Sequence, residues 1–162
     1  MNVRPYVAER DADSLWALKR AFETELGGET GDDDKREAYA EKLSAEYRDR
    51  YLAWVDRCVA DDPRCVSLAT VADDPVGYVF VLPERLALIW DAAVLNEVYV
   101  RPAARGSDVA DALMDAAVAL ARDQDLPLDR LVLDVDRDNE RAQAFYERHG
   151  FTHWGEMVAR PL

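Results

Sequence analysis

Long apolar runs are missing from this 162-residue chain, and lysine, histidine and cysteine are scarce. No segment stays free of charge over the roughly 20 residues that a bilayer crossing requires, and Met1 to Arg10 already carry charges. A soluble, cytoplasmic protein with no membrane partner is therefore expected. Lysine occurs only at Lys19, Lys35 and Lys42, and the 33 acidic residues outnumber the 20 basic ones, for a net charge of −13. A phosphate backbone would be repelled by such a surface, so nucleic acid is not an expected partner. The two cysteines, Cys58 and Cys65, show neither CxxC nor Cys/His spacing, which points to reduced structural thiols, with no metal site and no disulfide. His149 and His153, the only histidines, flank Gly150 and read as partly exposed structural residues rather than acid–base groups.

What is abundant is acid, spread along the chain at Asp32-Asp33-Asp34, Asp61-Asp62 and Asp73-Asp74. Steering a cationic substrate would need that charge concentrated at a cleft. The spread favours general solvation, as in a protein living in concentrated salt. The length suits one domain over 1–162, large enough to bury about two thirds of its unfolded surface, and repeats, linkers and low-complexity tracts are absent.

Hydrophobic spacing supplies the elements. Asn2 to Ala8 reads as a first strand, and Asp11 or Asp13 can cap a helix with Leu15, Leu18, Phe22 and Leu26 on its apolar face, stopped by Gly27-Gly28. A long second helix is predicted from the Asp32-Asp33-Asp34 cluster to about Ala60, ended by Asp61-Asp62-Pro63. Cys65 to Val71 and Val76 to Leu82 form a hairpin around Asp73-Asp74-Pro75, while Pro83 to Asp91 either extends the sheet or loops over the site. Ala93 to Val100 is a strand, followed by a helix to about Asp125. Leu131 to Val135 is another strand, after which Asp138 or Asn139 caps a short helix closed by Gly150 in a left-handed position. Thr152 to Ala159 is predicted as a last strand, an edge on which two subunits could pair as a homodimer. The order describes one α/β domain with a mixed sheet.

One junction stands out. Leu95 to Val100 runs as a strand into the turn Arg105-Gly106-Ser107, and the helix behind it has Val109, Leu113, Ala116 and Leu120 on its apolar face. The unpaired backbone N–H groups at such a helix start, beside the charge of Arg105, can bind a phosphate. Two motifs then belong together: Val100-x-Pro102-x-x-Arg105-Gly106-x-x-Val109-Ala110-x-x-Leu113 and Asn139-x-x-Ala142-x-x-Phe145-Tyr146-x-x-x-Gly150-Phe151. The pair resembles the GNAT superfamily of N-acetyltransferases, most closely over Val76 to Phe151.

That resemblance implies a single-domain fold with a central mixed, mostly antiparallel sheet flanked by helices on both faces, acetyl-CoA as co-substrate, no metal, and a small-molecule or peptide amine as acceptor. It places the coenzyme pyrophosphate on Arg105, Gly106, Ser107, Asp108, Val109 and Ala110. Backbone groups of Val98, Tyr99 and Val100 would hold the thioester and pantetheine arm beside a splayed neighbouring strand. Asn139 would cap its helix and contact the coenzyme, and the Tyr146 hydroxyl would face its sulfur. Glu97 lies on the strand where similar enzymes often use an acid as general base, directly or through water; its other reading is pairing with solvent or an arginine.

Asp108 departs from the family's Arg/Gln-x-x-Gly-x-Gly/Ala loop, standing at the first glycine, while Ala110 is a permitted second. Asp tolerates a left-handed backbone, so loop geometry can survive. Its charge, at about 6 Å from a phosphate oxygen and an effective dielectric near 20, would cost roughly 3 kcal/mol, or about a hundredfold in affinity. At ionic strength near 1 M the screening length is only ~3 Å, and most of that repulsion disappears. The expected activity is direct acetyl transfer to a primary amine. Two other readings are a non-catalytic coenzyme A-binding or regulatory module, motivated by Asp108, and an acidic protein-interaction domain built on the second helix. Trp16, Trp54, Trp90 and Trp154 read mainly as core, with Trp90 placed where a loop could close on substrate.

Overall fold

The computed structural model describes residues 1–29 and 32–162. Five strands lie in sequence order across one sheet: β1 (Asn2–Pro5), β2 (Val66–Val71), β3 (Asp74–Val81), β4 (Ala93–Val100) and β5 (Leu131–Val132). The first four are antiparallel to one another, and β5 is parallel to β4, giving the mixed, mostly antiparallel sheet that the family resemblance implies. Because β2 and β3 are buried along nearly their whole length, both sheet faces have to be covered. Helices α1 (Ala8–Glu29) and α3 (Ala45–Asp61) pack on one face, with Leu15, Leu18 and Val55 fully buried. Helix α5 (Val109–Asp123) covers the other through Val109, Leu113, Met114, Ala117 and Leu120. The remaining helices are α2 (Asp33–Glu41), α4 (Glu84–Ala87) and α6 (Glu140–Arg148).

Four local expectations are corrected. The long second helix is two helices, α2 and α3, because Ser44 starts a new one by accepting the Tyr47 N–H at 3.1 Å. The first helix runs through Gly27-Gly28 to Glu29, and Arg36 donates to the Gly27 carbonyl at 3.1 Å, so a tertiary partner stands where a C-cap was expected. The hairpin turns at Ala72 and Asp73, both left-handed at φ 49° and 66°, so Pro75 falls within β3. Two residues of this hand match the twist of a tight hairpin. Thr152 to Ala159 forms no strand and is exposed, so the edge foreseen for pairing two subunits is not built. A strand needs a neighbouring edge to bond to, and β5 offers only two residues.

Helix α1 begins at Ala8, so Asp11 sits within its first turns and its carboxylate reaches back to the Val7 N–H at 2.9 Å. Asp11 also accepts from Arg4 at 2.7 and 2.9 Å, tying β1 to α1. Burial opposes its charge, but the hydrogen bonds from Arg4, Arg10 and Val7 outweigh that and hold the carboxyl well below the usual carboxylate range. Among the described residues no helix is long and apolar enough to cross a membrane. Both cysteines are free and buried, as expected of structural thiols.

Candidate active site

Strands β4 and β5 pair only at Ala93 with Leu131 and Val94 with Val132, after which they part. A β-bulge sharpens the divergence: Phe80 pairs with Glu97 but Val81 with Leu95, leaving Asn96 as the extra residue. Arg101 N–H donates to Val76 O at 2.8 Å, so by alternation Val100 and Val98 turn their backbone groups away from β3, toward the open side. Arg105 Nε confirms the direction by donating to Val100 O at 2.9 Å.

The loop beyond β4 is a short 3-10 turn, Pro102–Ala104, followed by Gly106 at φ 73°, a conformation that favours glycine. Asp108 starts α5 at φ −73°, so its tolerance of a left-handed backbone is not needed. Its side chain is exposed and caps nothing. The first bond into α5 is Ala112 N–H to Asp108 O at 2.9 Å. From Gly106 to Asp111, consecutive backbone N–H groups have no partner among the described residues. Next to a splayed strand, such a row of open amides is a cradle that can receive an anion. Ser107 turns its hydroxyl inward to Ala104 O at 2.6 Å, leaving recognition to the backbone.

Arg105 is not aimed freely at that cradle. Its guanidinium lies over the Tyr99 ring, 5.6 Å from its centroid, and bonds Glu25 of α1 at 2.5 Å. Glu25 also pairs with Arg141 from the start of α6.

Helix α6 follows β5 and has no buried residue, while its cap Asn139 is 6% exposed and accepts the Ala142 N–H at 3.1 Å. Its other end closes at Gly150, φ 84°, the left-handed position the sequence predicts. Tyr146 packs between Phe145 and Phe151, with centroids at 5.5 and 5.6 Å. Burial pushes its phenol up to about 12, and its hydroxyl has no hydrogen-bond partner among the described residues. His149 bonds Asp111 at 2.8 Å and Arg148 bonds the same carboxylate, joining the end of α6 to the start of α5.

Glu97 points into the α1 face and is 6% exposed. Its Oε1 accepts from Lys19 at 2.5 Å, and its Oε2 accepts from both Tyr51 and Tyr78 at 2.8 Å. Lys19, 3% exposed, also pairs with Glu23 at 2.5 Å, and Glu23 with Lys42 at 3.3 Å. The Lys19 ammonium stands over the Phe22 and Tyr51 rings, at 5.2 and 4.9 Å. Burial works against that charge, but Glu97 and Glu23 outweigh it and raise the lysine above its ordinary value. Burial, then the Glu97 charge, raises Tyr51 and Tyr78 well above the usual phenol range. The paired reading of Glu97 foresaw an arginine; the partners are a lysine and two tyrosines. Sequence reasoning missed this network, although Lys19 lies inside the Leu15, Leu18, Phe22 stripe with Glu23 one turn on. Trp90, 55% exposed, sits after α4 at the start of β4, away from the cradle.

Residues 28–151 match the acetyltransferase (GNAT) family. Mycothiol acetyltransferase of Salinispora tropica is 44% identical over 70 residues, 41% of this chain and 22% of that protein. The chain thus spans about a fifth of the length of the curated relatives it matches. Among solved structures, the PaiA N-acetyltransferase of Thermoplasma acidophilum in complex with coenzyme A superposes with a TM-score of 0.71 at 18% identity, covering 93% of this chain and 89% of that one. A ribosomal-protein-alanine N-acetyltransferase from Brucella melitensis gives 0.72 at 22% identity, covering 96% and 86%. At these identities the structural likeness establishes the shared fold.

Proposed function

This chain belongs to the acetyltransferase (GNAT) family, and on that premise we propose that it transfers an acetyl group from acetyl-CoA to the primary amine of a small molecule or peptide, by direct attack in a ternary complex. The observation that carries this reading is the row of unpartnered N–H groups from Gly106 to Asp111 beside the unpaired edge of β4. When bound there, acetyl-CoA supplies the thioester that the amine attacks. The backbone of Gly106, Ser107, Asp108, Val109 and Ala110 holds the pyrophosphate, with Arg105 beside it. Val98 and Val100 align the pantetheine arm and polarise the acetyl carbonyl through backbone groups on the open edge, while Tyr99, whose backbone groups turn toward Tyr78 of β3, stands between them with its ring under Arg105. Asn139 fixes the start of α6 and lines the arm.

Tyr146 gives its proton to the departing sulfur. Among the described residues its hydroxyl has no hydrogen-bond partner, and a phenol held at about 12 stays protonated throughout the neutral and mildly alkaline range. Glu97 serves as the base through an intervening water, because its donors already occupy both carboxylate oxygens and leave little room for direct contact with an amine. No covalent enzyme intermediate is involved.

Calorimetric titration with acetyl-CoA at low and molar salt, followed by thiol release across a panel of amines, tests the assignment. Saturable binding with amine-dependent thiol release is expected. Absence of binding at both salt concentrations would overturn it.

A further inference from the structure

Glu25 draws two arginines from different parts of the chain onto one carboxylate. Arg105 arrives from the loop that begins the N–H cradle, and Arg141 from the first turn of α6, two residues beyond the Asn139 cap. Glu25 itself belongs to α1, on the opposite face of the sheet from α5, and is 22% exposed. Arg105 is 28% exposed and Arg141 52%, so the triad lies at the rim, within reach of a ligand from solvent. It borders a shallow groove of about 470 Å³ along α1, lined by Ala17, Arg20, Ala21, Thr24 and Glu25.

At the other end of α6, Arg148 and His149 are taken by Asp111. Asp108 adds an unpaired carboxylate to the cradle itself. A coenzyme bearing a diphosphate and a phosphomonoester therefore meets, at both ends of α6, arginines that already hold one of the protein's own carboxylates. Guanidinium forks bind phosphate at least as well as carboxylate, and a phosphate carries more charge. An exchange of partner is thus available without moving either arginine's backbone.

We propose that Arg105 and Arg141 form a phosphate subsite for the coenzyme, and that Glu25 is the internal anion a coenzyme phosphate displaces to use it. Glu25 then sets coenzyme affinity, and its release frees α1 from α6 as the ligand binds. This rests on the coenzyme reading given above, because the phosphate is the coenzyme's.

Glu25→Gln keeps the size of the side chain and removes its charge. Titration of wild type and variant with coenzyme A, and with pantetheine as the phosphate-free control, reads the exchange directly. The variant is expected to bind coenzyme A about 10-fold more tightly at low salt, with no gain for pantetheine, and the difference should shrink near 1 M salt. Arg141→Gln, an exposed substitution, should weaken coenzyme A but not pantetheine and should reduce the gain from Glu25→Gln. Unchanged or weaker coenzyme A binding by Glu25→Gln, or an equal gain for both ligands, would overturn the proposal while leaving the coenzyme reading intact. No coenzyme A binding by any of the proteins would instead remove that reading, and the subsite with it.

Discussion

Glu23 and Glu25 stand two residues apart on one helix and do opposite things. Two helical positions differ by about 200° around the axis, so the pair faces opposite ways. Glu23 is 2% exposed and shares the Lys19 ammonium with Glu97 in a buried network under β4, whereas Glu25 is 22% exposed and clasps Arg105 and Arg141 at the rim. Inside, burial holds each charge close to its partners, so the network fixes α1 and α3 onto the sheet. At the rim, water and salt compete for each partner, and an ion pair is worth about 0–1 kcal/mol. The same chemistry makes a scaffold in one place and an exchangeable contact in the other, and burial makes the difference.

The largest effect is expected from Lys19→Met, which leaves buried Glu97 without its cation and Glu23 with only the more distant Lys42, and should cost about 3–5 kcal/mol by urea unfolding at neutral pH. Because the folded lysine is raised above its unfolded value, its stabilisation is full below about pH 10.4 and fades as pH rises through the folded value. The variant should therefore lose less stability than wild type between neutral and strongly alkaline pH. A cost under about 1 kcal/mol would put this network in the same class as the rim.

Tyr146→Phe separates an unpartnered phenol from the two that Glu97 holds. Turnover should fall about 100-fold with coenzyme binding retained, and the wild-type rate should show no loss attributable to this phenol between pH 8 and pH 10, since it deprotonates only near 12. Equal turnover of variant and wild type at every pH would remove the proton-donor role.

Asp108→Gly belongs wholly to the rim. Its carboxylate is exposed, so water already screens part of the charge; about a 10-fold gain in coenzyme A affinity is expected at low salt and almost none near 1 M. A gain that persists undiminished in molar salt would point to backbone geometry rather than charge. The smallest effect is that of Asp111→Asn, which loosens the Arg148 and His149 contacts and should cost about 0.2–1 kcal/mol, again only at low salt. A cost matching that of Lys19→Met would erase the contrast between interior and rim.

Much of the fold could be read from local chemistry. β4 is seen at its predicted bounds, Ala93 to Val100, because apolar content and alternation agree there, and Asn139 and Gly150 close α6 as their types suggest. The cradle was equally legible, since a turn glycine before an amphipathic helix is a local signal. Failures occurred where a distant partner decided. The break at Ser44 and the passage of α1 through Gly27-Gly28 depend on the neighbours those residues meet, Arg36 reaching Gly27 among them. The missing last strand depends on how little edge β5 presents.

By itself the sequence determined the α/β class, the strand-turn-helix with its row of open amides, and the pairing of that junction with the Asn139 to Phe151 motif. These are properties of short stretches, set by periodicity, capping and the few residues a turn accepts. Only the tertiary structure decided which charges meet. Lys19 finds Glu97 across 78 positions, and Arg105 finds Glu25 across 80. Electrostatic energy depends on distance and burial, which the order of residues along the chain does not specify.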